Sequence, residues 1–318
     1  MGRFGNRLLI DCRKRAFISM SKFSMRPEPF TASPYVDRIH FLSTGHSDAI
    51  LLESQSHFAM IDAAEDSDYP PDKPNLNLRG YEQEVLAYLK SHARSGQGKV
   101  VLDFVLGTHA HSDHLGGFDT IINDNDVTVK KAFLHKYRPE TINRYERTRW
   151  DNQEVYDQMV SALRAKGVPI TDQFPEEGIT LGRFKLDFFN TEYDTSGKLV
   201  GDNDNSIVTR VTKGTCTALL TGDLDNLSGD EMRVARQVGH IDLLKLGHHG
   251  YIGSTTFGFV RALRPRYAIA TNRRAAVYPH VKFNLAFHRC PLQATVDNGG
   301  IIATFTDSGD ILFTNHIM

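Results

Sequence analysis

The sequence has 318 residues, of which 40% are hydrophobic and 24% are charged. This composition is typical of globular proteins and excludes disordered, collagen-like and coiled-coil chains. The 37 basic and 38 acidic residues give a formal net charge of −1, so no overall positive field favours nucleic acid as a ligand. Three scattered cysteines exclude a disulfide framework and a cysteine-rich zinc module, and no apolar run approaches the roughly 18 residues of a membrane span.

Residues 1–34 differ from the rest of the chain in charge, because they contain seven Lys and Arg but only two acidic residues, Asp11 and Glu28. The apolar stretch at 8–10 is too short for a secretory signal, whose apolar region spans about 7–15 residues. A basic, disordered extension and an organelle-targeting leader both remain open, and we predict the folded domain over residues 35–318. Since neither a secretory signal nor a membrane span is found, a cytoplasmic location is favoured.

Short strands dominate the first part of the predicted domain, and helices then alternate with strands. Apolar runs between turn clusters predict strands, whereas apolar residues at helical spacing predict helices. The predicted strands are 38–44, 49–53, 58–62, a buried run at 100–106, a hairpin of 205–212 and 215–221, 241–246, 267–270 and further strands in the last 25 residues. The predicted helices are 81–89, 152–166 ending before Gly167, one opening with a capping box at 228–231, and 257–263. This order predicts two sheets with helices outside them in one continuous domain.

Histidines concentrate directly after the buried run at 100–106. The segment Thr108-His109-Ala110-His111-Ser112-Asp113-His114-Leu115-Gly116-Gly117 places three His and one Asp within six residues. In an extended segment residues i and i+2 point the same way, so His109 and His111 can converge on one metal ion. Asp113 and His114, at the turn into the next helix, can face a second ion beside the first.

Two later strands also end in candidate ligands. Thr221-Gly222-Asp223 closes the predicted hairpin, and Leu246-Gly247-His248-His249-Gly250 follows the next strand. Side chains at strand ends, held by an apolar framework, are suited to a rigid metal centre. The 14 histidines therefore include a cluster with partners elsewhere in the chain.

The pattern His-x-His-x-Asp-His-x-Gly-Gly after a strand resembles the metallo-β-lactamase superfamily. The segments 45–49 (Gly-His-Ser-Asp-Ala), 61–62 (Ile-Asp), 221–223 and 247–250 are also similar to that superfamily, so the resemblance covers roughly residues 38–280. It implies an α/β fold, a four-layer αβ/βα sandwich in a single domain. It also implies a metal-dependent hydrolase with a binuclear zinc centre, in which Mn²⁺ or Fe²⁺ could replace Zn²⁺.

By this resemblance, the six metal ligands are His109 and His111 in site one, Asp113, His114 and His248 in site two, and Asp223 as the bridge. Such nitrogen and oxygen ligands suit zinc, and two ions together acidify a bridging water. Asp62 is expected to orient a ligand His through its other ring nitrogen. Many members of the family supply a third His to site one, and His135, water or substrate could fill that position here.

Two branches of the superfamily are especially similar. Asn203-Asp204-Asn205-Ser206 and the Gly-His-His-Gly run resemble the C-terminal domain of the competence DNA-uptake channel. The segments 134–137, 150–152 and 222–226 resemble phosphorylcholine esterase in order and spacing. The implied substrate contacts are Trp150, Tyr137, Asn205 and His280. Trp150 has two interpretations, an aromatic wall that takes a quaternary ammonium or a packing residue before a helix capped by Asp151 and Glu154.

The resulting hypothesis is a zinc-dependent phosphodiesterase or phosphoesterase that uses a metal-bridging hydroxide on a small-molecule phosphoester or ester. Asp113 and His249 are the expected catalytic residues, with His249 binding phosphate or protonating the leaving group. Three alternatives share the same motif: hydrolysis of a carbonyl ester, lactone or β-lactam; nuclease activity; and a non-enzymatic, metal-stabilised module. The near-neutral charge argues against long nucleic acid, and the oligomeric state stays open.

Overall fold

A computed structural model describes residues 36–94, 98–193, 200–227 and 230–318. All of these lie in one compact unit, Ala32–Met318, and the predicted extension 1–34 lies outside the described residues. Among the helices of the described ranges, none combines the length and the hydropathy needed to cross a membrane.

Short strands and helices alternate along the described chain. The strands are β1 (Asp37–Phe41), β2 (Ala49–Ser54), β3 (His57–Ala63), β4 (Val100–Leu102), β5 (Phe104–Gly107), β6 (Val127–Val129), β7 (Ala132–Leu134), β8 (Ile170–Thr171), β9 (Ile179–Leu181), β10 (Phe184–Phe189), β11 (Val208–Lys213), β12 (Cys216–Leu220), β13 (Leu243–Lys245), β14 (Tyr267–Ala270), β15 (Leu292–Ala294), β16 (Ile301–Phe305) and β17 (Ile311–Asn315). The helices are α1 (Glu82–His92), α2 (Ser112–Leu115), α3 (Phe118–Asn123), α4 (Arg144–Arg149), α5 (Asn152–Ala165), α6 (Asp230–Val238), α7 (Phe257–Leu263) and α8 (Pro279–Phe287).

Two large sheets face each other. The first has the strand order β17-β16-β1-β2-β3-β5-β7-β8 and the second has the order β15-β14-β13-β12-β11-β10-β9. Apolar side chains of both sheets form one core between them, including Phe41, Leu52, Phe184, Leu220 and Ile269. Separate cores lie under α1, α3 and α5 on the first sheet and under α6, α7 and α8 on the second. This layering confirms the predicted four-layer αβ/βα sandwich.

The apolar run at 100–106 departs from its prediction as one buried strand. It forms two strands, because β4 pairs with β6 in a separate two-stranded sheet while β5 joins the first large sheet. Asp103 separates them, and its carboxylate accepts hydrogen bonds from His57 (2.7 Å) and Lys130 (2.5 Å) near the surface. A charged residue that must reach solvent therefore interrupts the run.

The predicted hairpin is present, with Lys213 opposite Cys216 in antiparallel β11 and β12. Its first strand begins at Val208, because Asp202–Asn205 forms a 3₁₀ turn instead of extended chain. The helix α5 also matches its prediction and is followed by Gly167 at φ 67°, a left-handed residue that suits a helix end.

The predicted capping box of α5 is not formed as expected, and that of α6 includes a residue outside the described ranges. Asp151 is the N-cap of α5, but its side chain makes no capping hydrogen bond, and Glu154 instead accepts from Lys73 Nζ at 3.0 Å. At the start of α6, Ser228 lies outside the described residues, and the Glu231 carboxylate accepts from the backbone of Thr256 (3.0 Å). Both glutamates therefore make contacts between elements, and the capping box at 228–231 stays a prediction.

The strand directions bring candidate ligands to one edge of the sandwich. β3 and β5 are parallel neighbours, with Ile61 opposite Leu106, and β12 and β13 are parallel neighbours, with Ala218 opposite Leu243. The carboxyl ends of parallel neighbours meet at the same sheet edge, where open α/β sheets place their ligand crevice. The segments that follow β3, β5, β12 and β13 therefore share this edge.

Candidate metal centre

Asp62, at the end of β3, fixes His114. The Asp62 backbone is left-handed at φ 56°, a conformation that is strained for a residue with a side chain. Its carboxylate accepts hydrogen bonds from the backbone N–H and the hydroxyl of Thr108, both at 2.8 Å, and from His114 Nδ1 at 2.7 Å. With Nδ1 held in this way, the other ring nitrogen, Nε2, is left to face the site.

Four side chains converge on one point at this edge. His114 Nε2 is 3.1 Å from Asp223 Oδ1, and His249 Nε2 is 3.2 Å from a carboxylate oxygen of both Asp113 and Asp223. One ligand atom from each of these four residues falls within 4.8 Å of all the others. His114, Asp223 and His249 are almost completely buried. This group can hold one metal ion.

The turn after β13 decides which of two adjacent histidines joins this group. His248 and His249 are both left-handed, at φ 45° and 51°. His249 points inward, where its Nδ1 lies 3.0 Å from Thr271 Oγ1 and 3.3 Å from Asp48 Oδ1. His248 remains partly exposed, with Nε2 3.9 Å from Asp223 Oδ2. The structure thus brings His249, and not His248, into the four-residue group.

Buried polar atoms without partners test whether this group suits a metal. His114 Nε2, His249 Nε2 and Asp223 Oδ1 are buried and, although ion-pair partners lie 3.1–3.2 Å away, none of the three forms a hydrogen bond of good geometry among the described residues. Nearly all buried polar atoms in proteins are paired, so three such atoms around one point indicate an acceptor set for a cation. Imidazole nitrogens and carboxylate oxygens suit zinc, and the residues present therefore fit the metal that the sequence implies.

His109 and His111 form a second pair beside this group. His109 Nε2 faces His111 Nδ1 at 2.9 Å, and the rings of His109 and His114 are 4.2 Å apart. Neither residue belongs to a group of three or more ligand atoms found within 4.8 Å of one another in the described ranges. The pair offers two converging nitrogens next to the four-residue group.

Glu146, on α4, holds His111 from behind. His111 Nε2 donates to Glu146 Oε1 at 2.8 Å, and the same oxygen accepts from Asn152 Nδ2 and from the backbone N–H of Asp202, both at 2.9 Å. A carboxylate on the outer nitrogen fixes the orientation of a ligand imidazole. Glu146 was not predicted from the sequence, because nothing in the Arg-rich segment 144–149 distinguishes it from a surface glutamate.

Lys245 is a fully buried cation within the centre. Its ammonium donates to Gly222 O at 2.8 Å, forms an ion pair with Asp48, and lies 3.6 Å from Asp223 Oδ1. Asp48 in turn contacts His249, so it links the ammonium to the imidazole. Neither residue was predicted from the sequence, although a lysine inside the apolar run 241–246 and an Asp in the segment 45–49 were available signals.

The electrostatics of the centre set its protonation state. Burial disfavours the charged form of His114 and His249, but the facing carboxylates, led by Asp223, outweigh it and raise the pKa of both imidazoles well above the ordinary value. Burial would also raise the pKa of Asp223, but His249 and His114 hold it well below its usual range. His109 is the opposite case, because burial and the neighbouring imidazoles lower its pKa. His109 is therefore a neutral, metal-ready ligand.

A cavity of about 300 Å³ opens over the centre. Its lining includes Asp113 and Asp223 of the four-residue group and the adjacent His248, with Trp150 and Tyr251 as aromatic walls. The Trp150 ring is 4.7 Å from the His111 ring. Of the four substrate contacts expected from the sequence, Trp150 alone is among the residues that line this cavity.

The other three expected contacts lie elsewhere. Tyr137 and Asn205 line a separate cavity of about 10 Å³ behind His109, which is room for about one water molecule. His280 lies 3.4 Å from the Ser254 carbonyl through its Nε2. His135, the possible third ligand of site one, also lines the small rear cavity, where burial lowers its pKa to about 4.

The protonated imidazoles of the centre predict that metal binding releases protons. His114 and His249 have raised pKa values and hold protons at neutral pH, and each Nε2 must lose its proton before it can bind a metal. We therefore expect zinc binding to release protons and the apparent affinity to fall as the pH is lowered from 8 to 6. Calorimetry in buffers of different ionisation enthalpy measures the released protons. An affinity that does not change over this pH range would contradict the assignment.

A second prediction concerns Glu146. The substitution Glu146→Gln keeps the shape of the side chain but removes the charge that orients His111, so we expect zinc affinity to fall about 10–100-fold. Competition with a chromogenic chelator measures the affinity. Glu140→Gln makes the same change at an exposed position and should leave the affinity unchanged. If the two variants bind zinc equally and melt at the same temperature, Glu146 has no such role.

Comparisons with known proteins give relatives in sequence and in fold. No protein-family model matches the chain. ComE operon protein 3 of Bacillus subtilis (strain 168) is 26% identical over 241 residues, which are 70% of this chain and 28% of that protein. Competence protein ComA of Neisseria gonorrhoeae is 40% identical over 85 residues, which are 26% of this chain and 12% of that protein. The chain thus spans less than a third of the length of these curated relatives.

Among solved structures, the chain is similar to the metallo-β-lactamase fold protein YhfI from Bacillus subtilis. The TM-score is 0.50 at 11% sequence identity, and the match covers 88% of this chain and 100% of that one. At this identity the likeness concerns the fold, and it agrees with the two sheets, the outer helices and the motif after β5. The chain has the metallo-β-lactamase fold.

Proposed function

We propose that this chain is a zinc-dependent hydrolase that cleaves a phosphodiester. The proposed ligands are His109 and His111 in site one, Asp113, His114 and His249 in site two, and Asp223 between the two sites. The observation that carries the proposal is the convergence of Asp113, His114, Asp223 and His249, whose ligand atoms lie within 4.8 Å of one another, at a cavity lined by Asp113 and Asp223. His249 replaces His248 in the ligand set, because its Nε2 is the closer of the two to Asp223.

The protein's own residues would orient the ligands and shield the reacting groups. When bound, two zinc ions lower the pKa of water and stabilise the charge of an in-line displacement. Asp62 holds His114 and Asp48 holds His249 through their outer ring nitrogens, so the inner nitrogens keep their direction. Trp150 and Tyr251 form cavity walls that exclude water from one side of a bound substrate.

His248 takes over the phosphate-binding role that the sequence suggests for His249. A ligand imidazole is occupied by the metal, whereas His248 lines the cavity and stays partly exposed. Asn203 Nδ2 donates to its Nδ1 at 3.3 Å, which leaves Nε2 directed away from that contact. Burial lowers the pKa of His248, so its neutral form is present at neutral pH, and with Nδ1 accepting from Asn203 the proton lies on Nε2, which can donate a hydrogen bond to a phosphate oxygen.

The cavity lining favours a small phosphodiester over nucleic acid. Among the described lining residues there is no Lys or Arg, and Glu65 and Asp151 add acidic groups. Burial raises the pKa of Glu65 to about 9, so this carboxyl is neutral at neutral pH and supplies no positive charge for a further phosphate. Binding to long nucleic acid depends on Lys and Arg contacts to phosphate. A substrate with one negative charge and neutral or cationic substituents suits this lining better.

Turnover of bis-p-nitrophenyl phosphate with added Zn²⁺ or Mn²⁺ tests the activity. We expect the double variant Asp113→Ala/His114→Ala to lose more than about 100-fold in rate, because even residues behind metal ligands contribute about 10–100-fold. An acyl panel of p-nitrophenyl acetate, a lactone and a thioester, run in parallel, separates phosphoester from carbonyl hydrolysis. Equal rates in the wild type and the double variant would remove the proposal, and faster acyl turnover would move it to carbonyl substrates.

A matched pair of variants tests the ligand assignment. His249→Ala removes an imidazole from the four-residue group, so we expect bound zinc per chain to fall by about one ion. His248→Ala leaves that group intact, so we expect zinc content to stay unchanged while the rate falls. Elemental analysis after gel filtration measures the zinc, and thermal melts report folding. The reverse pattern would assign His248 as the ligand instead.

A further inference from the structure

The outer layer beside the second sheet is free of acidic residues over a long stretch. No Asp or Glu occurs between Asp242 and Asp297. The Lys and Arg of this stretch are Lys245, Arg261, Arg264, Arg266, Arg273, Arg274, Lys282 and Arg289. Lys245 is used inside the metal centre, and the other seven belong to α7, α8 and the segments beside them. The overall net charge of −1 therefore conceals a basic region.

Three phenylalanines are exposed within this basic region. Phe257 on α7 is 37% exposed, and Phe283 and Phe287 on α8 are each 62% exposed. The ring centroids of Phe257 and Phe287 are 5.0 Å apart, and those of Phe283 and Phe287 are 6.1 Å apart. Contiguous exposed apolar side chains mark interaction sites on proteins. We refer to Phe257, Phe283 and Phe287 as the aromatic face.

A cationic cavity lies along the same helix. It has a volume of about 310 Å³ and is lined by Arg274, Lys282 and Arg289 together with apolar residues that include Leu285 and Leu292. Arg274 Nη1 donates to the Leu292 carbonyl at 2.8 Å, and Lys282 Nζ donates to a backbone carbonyl at 3.2 Å. These side chains therefore contact neutral acceptors, and their charges are not cancelled by the contacts.

One carboxylate lies close to this cavity. Asp297 accepts from the backbone N–H of Arg274 at 2.6 Å, but it is not among the residues that line the cavity. Three cations over an apolar floor suit a ligand that carries a negative group and an apolar part.

The aromatic face and the cationic cavity lie on adjacent flanks of α8. Phe283 and Phe287 are four residues apart and form one row along the helix, and Lys282 and Ala286 form the next row, about 100° around the axis. Both rows are at least partly exposed. A flat surface laid against α8 can therefore contact the phenylalanines and the cationic side chains together.

We propose that this part of α7 and α8 docks on an anionic lipid surface. Exposed aromatic side chains flanked by Lys and Arg are the combination that binds the membrane interface, where rings enter the headgroup boundary and cations meet anionic headgroups. The cavity of Arg274, Lys282 and Arg289 takes an anionic headgroup, and Phe283 and Phe287 enter the acyl boundary. Single-stranded nucleic acid prefers a charged groove in which bases stack on aromatic rings, whereas these rings project from the outer surface of two helices.

The part of α7 and α8 that we propose for docking also adjoins the mouth of the cavity over the metal centre. Tyr278 precedes α8 and is 39% exposed. Its ring lies 6.0 Å from the ring of Tyr251, which lines that cavity. Docking through α8 would therefore bring the mouth of the cavity close to the lipid surface, although the docking itself does not depend on catalysis.

Co-sedimentation of the full chain with vesicles tests the proposal. We expect binding to vesicles of phosphatidylcholine with about one third phosphatidylserine, weak binding to phosphatidylcholine alone, and a loss of binding as salt is raised. Lys282→Gln/Arg289→Gln removes two charges, so we expect roughly 30-fold weaker binding, and Phe283→Ser/Phe287→Ser should weaken binding at least as much.

Matched controls keep the test specific. Lys136→Gln/Arg149→Gln removes the same two charge types at exposed positions elsewhere, and Leu312→Ser removes an exposed apolar side chain on β17. Both controls should bind like the wild type, and thermal melts should be similar for every variant. Binding that is insensitive to lipid charge or equal in all variants overturns the proposal.

Further measurements distinguish two other ligands of this surface, single-stranded nucleic acid and a second copy of the chain. Binding to a 30-nucleotide single strand that is weakened by the same α8 substitutions, without vesicle binding, overturns the proposal in favour of nucleic acid. A dimer in sedimentation that dissociates with Phe283→Ser/Phe287→Ser, again without vesicle binding, overturns it in favour of a second copy of the chain.

Discussion

Three buried carboxylates and a fourth that is partly exposed, Asp113, lie together at one edge of the sandwich, and the structure around them depends on how their charge is balanced. Asp48, Asp62, Asp113 and Asp223 lie within reach of His114, His249 and Lys245. A buried charge without a partner destabilises a fold by several kcal/mol, so each cation is needed. Lys245 is a permanent counter-ion, because Asp48 and Asp223 raise its pKa against the effect of burial. The two imidazolium protons are exchangeable, and a divalent cation can replace them.

The permanent cation and the exchangeable protons have different roles. Lys245 helps to hold the centre together, whereas the protons of His114 and His249 can be exchanged for a metal ion. Lys245 donates to the Gly222 carbonyl, which holds the left-handed turn at Gly222 (φ 51°) and thereby the direction of Asp223. Asp62 and Asp48 act from outside through Nδ1 of His114 and His249. The ligand atoms are therefore oriented before any metal arrives, and the strain of left-handed His248 and His249 is balanced by the packing around them.

The sequence predicts the parts of this arrangement that depend on local spacing. The motif at 109–114 places imidazoles on one face of an extended segment, and apolar runs that end at Asp62 and Asp223 predict strand ends that share an edge. Sequence spacing does not determine how neighbouring side chains in a turn are oriented. His248 and His249 have the same chemistry, and only their backbone angles and the acceptors at Asp48 and Thr271 decide which ring turns inward.

Residues that act across long sequence distances were beyond sequence reasoning. Glu146 contacts a histidine 35 positions away, and only the fold of the loop that carries α4 brings it there. Asp103 shows the converse case, since a single charge that reaches the surface divides an apolar run that periodicity alone treats as one strand. Tyr137, Asn205 and His280 follow a resemblance in sequence, but the structure separates them from the cavity that Trp150 lines.

The net charge of −1 does not show how the charges are distributed along this chain. The cavity over the metal centre has no Lys or Arg among its described lining residues, whereas residues 243–296 contain eight Lys and Arg and no acid. An uneven distribution of charge orients a protein in the field of an anionic surface. The basic helices α7 and α8 would face such a surface, and the mouth of the cavity would lie close to it. A cavity without Lys or Arg offers no strong charge partner for additional phosphates, so its lining favours a substrate with a single negative group whether or not a surface is near.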